Sequence, residues 1–167
     1  MAESYEGQQI SDQRQYVWNY FQLHASQRLS TFNFYIVIST AIAAGYIVTV
    51  GVNSIPMLAI LLGATISLLS FVFWKLDVRN KQMIKNAEEA LKYLEALTYT
   101  PRNINESNVL KIFTYEEEQT NRMKRSKSFW PWKKHYSYSK CFNIVFAVFG
   151  ILGLLGTAYA IVITIIG

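Results

Sequence analysis

Residues 32–74 and 141–167 contain no Asp, Glu, Lys or Arg, while all 16 basic and all 11 acidic side chains fall within 1–31 and 75–140. This separation of charge constrains the fold more than any other feature. A soluble domain carries roughly 25% charged residues spread over its surface; here the figure is 16% and the charges are partitioned. Phe32–Val52 and Ile55–Trp74 each provide about the 20 apolar residues needed to cross a bilayer as a helix. Gly51–Pro56, reading "GVNSIP", supplies turn-forming residues between them. Phe142–Ile166 forms a third apolar run. The expected class is an all-α membrane protein with three transmembrane helices, an amphipathic N-terminal helix and a helical cytoplasmic segment.

Five regions follow: an N-terminal arm (1–31), a transmembrane hairpin (32–74), a cytoplasmic helical region (75–127), a basic and aromatic juxtamembrane segment (128–140) and a third span (141–167). Some 31 polar residues precede the first apolar run, which is the arrangement of a retained anchor and not of a cleaved signal. The positive charges set the orientation. The arm holds Arg14 and Arg28, residues 75–140 hold the other 14 basic residues, and the Asn53 turn and Gly167 have none beside them. The expected location is the inner (plasma) membrane, with the N-terminus cytoplasmic and the C-terminus outside. The single cysteine, Cys141, excludes an intrachain disulfide and reads as a small apolar residue at the membrane boundary.

In the arm, Ser11 is placed to cap a helix starting at Asp12. "YVWNYFQLHASQRLSTFNFYIVIST" (16–40) then runs from aromatic and polar into apolar sequence without a proline or glycine. Trp18, His24 and Arg28 read as an interfacial collar. A catalytic reading of His24 with Arg28 lacks a nucleophile, metal ligands or a phosphate loop. No enzymatic activity, cofactor or metal is expected.

Beyond Trp74 the helix is expected to continue through "KLDVRNKQMIKNAEEALKYLEAL", with Leu76, Met83, Ala87, Ala90, Leu94 and Leu97 on one stripe. Pro101 and its Asn-rich surroundings break it, and a second cytoplasmic helix is expected over about 106–124, bearing the acidic run Glu116–Glu118. Residues 122–140 then combine seven Lys or Arg with five aromatics and no acid. That composition suits nucleic acid, but directly before a span it suits anionic headgroups better. Trp130, Trp132, Lys133 and Lys134 therefore join the expected collar, with lipid and not nucleic acid as the partner.

The spans carry no ionisable group of the kind that marks pumps and coupled transporters. Each bears one stripe of small and polar residues instead: Asn33, Thr40, Ala44 and Gly51 on the first; Ala59, Gly63, Ser67 and Ser70 on the second; Asn143, Gly150, Gly153, Thr157, Ala160 and Thr164 on the third. Such stripes let backbones approach and hydrogen-bond. One compact trio does not need all three, so homo-oligomerisation is expected, with Asn33 and Thr40 the first candidates to face a lumen.

The arm leading through "WNYFQLHASQRLSTFNF" into two tightly joined spans, then the charged helix containing "LDVRN", resembles small prokaryotic membrane effectors of the SLATT type. It is also similar to accessory membrane proteins of CRISPR and abortive-infection systems. The resemblance covers roughly 12–97, and the third span departs from the simplest two-span members. It implies an oligomeric pore that depolarises the membrane when a cytoplasmic protein partner reports infection. A non-conducting scaffold that recruits a cytoplasmic defence or nucleic-acid-processing complex is the other class left open.

Overall fold

The computed structural model describes residues 2–53, 55–98, 111–125 and 138–166, all of them helical apart from short connections. The elements are α1 (Ala2–Val48), a π-helical turn (Thr49–Asn53), α2 (Pro56–Thr98), α3 (Ile112–Arg125) and α4 (Tyr138–Ile166). Three of them, α1, α2 and α4, contain segments long and apolar enough to cross a membrane.

The helix starts and stops follow from local chemistry. From Ala2 to Val48 there is no proline, and Gly7 and Gly45 alone are insufficient to break a helix. Ser11 is consequently an interior, exposed position of α1 and caps nothing, contrary to the sequence expectation. At the far end the helix widens into the π turn, with Thr49 Oγ1 donating 2.8 Å to the Gly45 carbonyl. Pro56 then opens α2 at the first helical position, where a missing N–H costs nothing. α2 continues past Trp74 to Thr98.

The chain divides into two compact units, residues 27–81 with 136–167 and residues 1–26 with 82–135. In the first, the spanning unit, Tyr35, Phe142 and Phe146 form the buried core, flanked by Phe32, Phe73 and Phe149. Phe32 stacks on Phe142 with ring centres 3.8 Å apart. Ser70 donates to the Ile66 carbonyl, so the 2.8 Å bond between Tyr35 and Ser70 has the phenol as donor.

α2 and α4 cross in backbone contact. A Cβ added to Gly63 would lie 2.6 Å from Thr157 Oγ1 and 3.0 Å from the Gly153 carbonyl; one added to Gly153 would lie 2.8 Å from the Gly63 carbonyl. Ser67 Oγ donates 3.1 Å to the Gly150 carbonyl across the same crossing. With lipid outside, this close packing and hydrogen bonding hold the helices together.

In the second, polar unit, Ala87, Leu91 and Leu94 of α2 are buried. Trp18 and Phe21 of α1 pack on Phe113 of α3, the latter pair 5.6 Å apart edge to face. The buried α2 stripe is rotated from the expected one: Leu76 and Leu97 are exposed, while Leu91 and the acidic Glu95 are inside. Glu95 is buried because its carboxylate accepts from Phe113 N (3.4 Å) and Thr114 Oγ1 (3.2 Å) at the start of α3, where unpaired N–H groups and the helix dipole favour an anion. α3 is seen from Ile112; the expected start near residue 106 lies outside the described residues.

Gly63→Ala should lower the stability of the detergent-solubilised protein by about 1–3 kcal/mol, the usual range for overpacking. Gly7→Ala, with nothing within 4 Å, should raise it by about 0.5–1 kcal/mol. Thermal unfolding of the two variants checks this, and equal behaviour would contradict the close crossing.

Candidate functional site: a buried ion pair tying three helices

Arg28 precedes the first residue of the charge-free run by four positions, one helical turn, and Asp77 follows its last residue, Trp74, by three. Antiparallel α1 and α2 therefore bring these opposite charges to the same level. Arg28 Nε donates to Asp77 Oδ1 at 2.7 Å and Nη2 to Oδ2 at 3.1 Å, a bidentate fork. The same Nη2 donates to Ser139 Oγ at 3.1 Å, which brings in α4. The guanidinium also lies 5.1 Å from the centre of the Phe142 ring. Arg28 and Asp77 side chains are 13% and 7% exposed. Burying either charge alone at a bilayer boundary is expensive, and the fork plus the serine hydroxyl satisfies most of both. Lys75, by contrast, extends over the exposed Trp74 ring at 4.8 Å.

The sequence-derived positions distribute as follows. Arg28, read as collar, turns its head inward to Asp77. His24 packs edge to face on Tyr20 at 4.3 Å, with its buried Nδ1 lacking a hydrogen-bond partner. Trp18 packs on Phe113. Gly63, Ser67, Gly150, Gly153 and Thr157 meet at the α2–α4 crossing, and Ser70 bonds Tyr35. Asn33, Thr40 and Ala44 stand exposed on α1, and Asn143 is exposed on α4. Trp130, Trp132, Lys133 and Lys134 lie outside the described residues. Among the described residues no group of three His, Cys, Asp or Glu is placed to hold a metal.

Sequence reasoning missed Asp77, Ser139, Tyr35 and Ser39. Asp77 had a signal: it is the first acid after 43 uncharged residues, and the last charge before them is Arg28. Ser39, fully buried with its hydroxyl unpartnered, had none.

Burial raises the Glu88 carboxyl above its ordinary value; Lys92 and Lys85 oppose the shift, and Glu116 and Glu117 add to it.

An uncharged three-helix bundle, closed by a buried salt bridge and glycine contacts, defines a small integral membrane protein with no enzyme-like constellation among its described residues. The sequence pattern of the octameric membrane protein family (8xMP) matches residues 11–163, and the chain belongs to that family. The sequence resemblance to SLATT-type effectors and to CRISPR- and abortive-infection-associated membrane proteins is met at the level of a small membrane protein, with the octameric family and not SLATT as the match. A relative from Escherichia coli, "CD-NTase-associated protein 19", is 38% identical over 148 residues, covering 88% of this chain and 89% of its own. No solved structure matches the chain.

Arg28→Met or Asp77→Leu alone should cost about 3–5 kcal/mol by leaving its partner buried and unpaired. The double variant should recover most of that loss in thermal unfolding. Glu88 gives a pH signature. Its folded value lies above the unfolded one, so its contribution is fully present below about pH 4.3 and is lost as pH rises through the raised value. Glu88→Gln should therefore stabilise the protein at neutral pH, and this advantage should vanish in acid.

Proposed function

We propose that the protein is an oligomeric, pore-forming effector of a prokaryotic antiviral defence system, seated in the inner membrane with the N-terminal arm and residues 75–140 in the cytoplasm. Eight copies, the number in the family's name, form the ring. A signal on the cytoplasmic side shifts the ring from a sealed to a leaking state and depolarises the cell. The observation that carries this reading is the exposed polar face within the spans, Asn33 and Thr40 on α1 and Asn143 on α4. Hydrocarbon cannot satisfy amides, so further copies are needed to cover them.

The name of the E. coli relative ties that protein to a CD-NTase. We carry the association over: the trigger comes from a nucleotidyltransferase-linked system, in preference to a CRISPR one. Moving the ring from 1:99 to 99:1 requires the signal to favour the leaking state by about 5.5 kcal/mol. The polar unit, where Glu95 and the Lys92–Glu117 pair (2.6 Å) join α2 to α3, is the element that receives it.

A membrane-potential dye in cells carrying the protein and its neighbouring genes tests this. Activation should collapse the potential within minutes, and His24→Ala should leave that response intact. An intact potential in activated cells that contain the assembled ring would replace the pore with a non-conducting scaffold.

A further inference from the structure

The spanning unit carries a groove of about 360 Å³ between α2 and α4. Six α4 residues line one wall, among them Asn143, Ala147, Gly150 and Leu154; Ser67, Ser70, Phe71 and Trp74 form the other. Within the unit, α1 and α4 run parallel and in register. Residues 110 or 111 apart in sequence meet along the whole length: Arg28 with Ser139, Phe32 with Phe142, Tyr35 with Phe146, Tyr46 with Gly156. The side of α1 that makes these contacts is the buried one. The opposite side presents Asn33, Val37, Thr40 and Ala44, all exposed.

These four positions are spaced four, three and four residues apart, as are four of the six groove positions on α4, Phe146 and Ile151 being the other two. The 110-residue offset puts each at the depth of its counterpart: Asn33 with Asn143, Val37 with Ala147, Thr40 with Gly150, Ala44 with Leu154. A ring axis normal to the membrane preserves depth from copy to copy, and a closed ring requires two different, complementary faces on each subunit. Neither Asn33 nor Asn143 has a side-chain hydrogen bond among the described residues.

The geometry points to the seam between neighbouring subunits: the outward face of α1 of one copy seats in the α2–α4 groove of the next. The inference rests on the ring proposed above and specifies its interface. Asn33 pairs with the next copy's Asn143, each amide donating and accepting. Val37 lies over Ala147, and the small Gly150 admits Thr40. The spacing is that of parallel knobs-into-holes packing. Asn33 and Thr40 then belong to the wall between subunits and do not face the lumen directly.

The test uses a Cys141→Ser background, because Cys141 is free and exposed. Full-length chains with Val37→Cys and with Ala147→Cys, distinguishably tagged, are produced together in one membrane and treated with a thiol oxidant. Mixed dimers should form, neither chain should dimerise alone, and the double variant should give a ladder reaching eight. Val148→Cys, exposed on α4 but outside the groove, should not couple to Val37→Cys. Ala44→Cys with Leu154→Cys repeats the measurement should the first pair fold poorly. Val37–Val37 dimers overturn the seam. So does the absence of mixed dimers at both pairs while an amine-reactive cross-linker still yields the ladder, which is the result a lipid-filled groove would give. Loss of the ladder with both reagents takes down the ring as well.

Discussion

Hydrocarbon offers no hydrogen bonds, and this protein is organised around that absence. Backbone groups are satisfied by long helices, which is why the chain builds α1, α2 and α4 before anything else. Side-chain polar groups within the spans are then closed one by one. Thr40, Thr65, Thr157 and Thr164 donate to carbonyls four residues back, Tyr35 reaches Ser70, and Tyr46 reaches the Gly156 carbonyl. Among the described residues the groups left open include the buried Ser39 hydroxyl and, on the surface, the amides of Asn33 and Asn143, which we propose face other copies.

The Arg28–Asp77–Ser139 cluster solves the same problem for charge. Lipid-facing arginine would have to extend toward water; here it is neutralised by an acid from the antiparallel partner and pinned by a hydroxyl from the third helix. A fork of this kind is specific in geometry more than it is strong, since desolvation offsets much of the attraction. Its effect is registry: it fixes α1, α2 and α4 at a common level, and the parallel alignment of α1 with α4 extends from it through Phe32–Phe142 to Tyr46–Gly156. The glycine crossing at Gly63 and Gly153 fixes α2 against α4 in the same way, by allowing one approach and excluding looser ones.

The spans were legible because charge exclusion over 43 residues has one common cause, and the run past Trp74 was legible because it lacks Gly and Pro. The ion pair was not. Arg28 and Asp77 are 49 positions apart, and a basic residue near a span has a sufficient local explanation in lipid headgroups. Ser11 misled because a capping residue signals a helix start only where the preceding chain is not already helical. The α2 stripe was misplaced by about one position because periodicity counts apolar residues alone. Glu95, buried by its bonds to the start of α3, pulls the packed face toward Leu91 and leaves Leu97 outside.

Membership of the octameric family and the exposed intramembrane amides converge on one account: the three-helix bundle is a component, and its function belongs to the assembly. The most direct measurement is the native mass of the particle extracted from membranes in lipid nanodiscs. The account predicts eight copies of the 19.2 kDa chain, falling to smaller species when Asn33 and Asn143 are both replaced by Leu. A wild-type particle containing a single chain would contradict it.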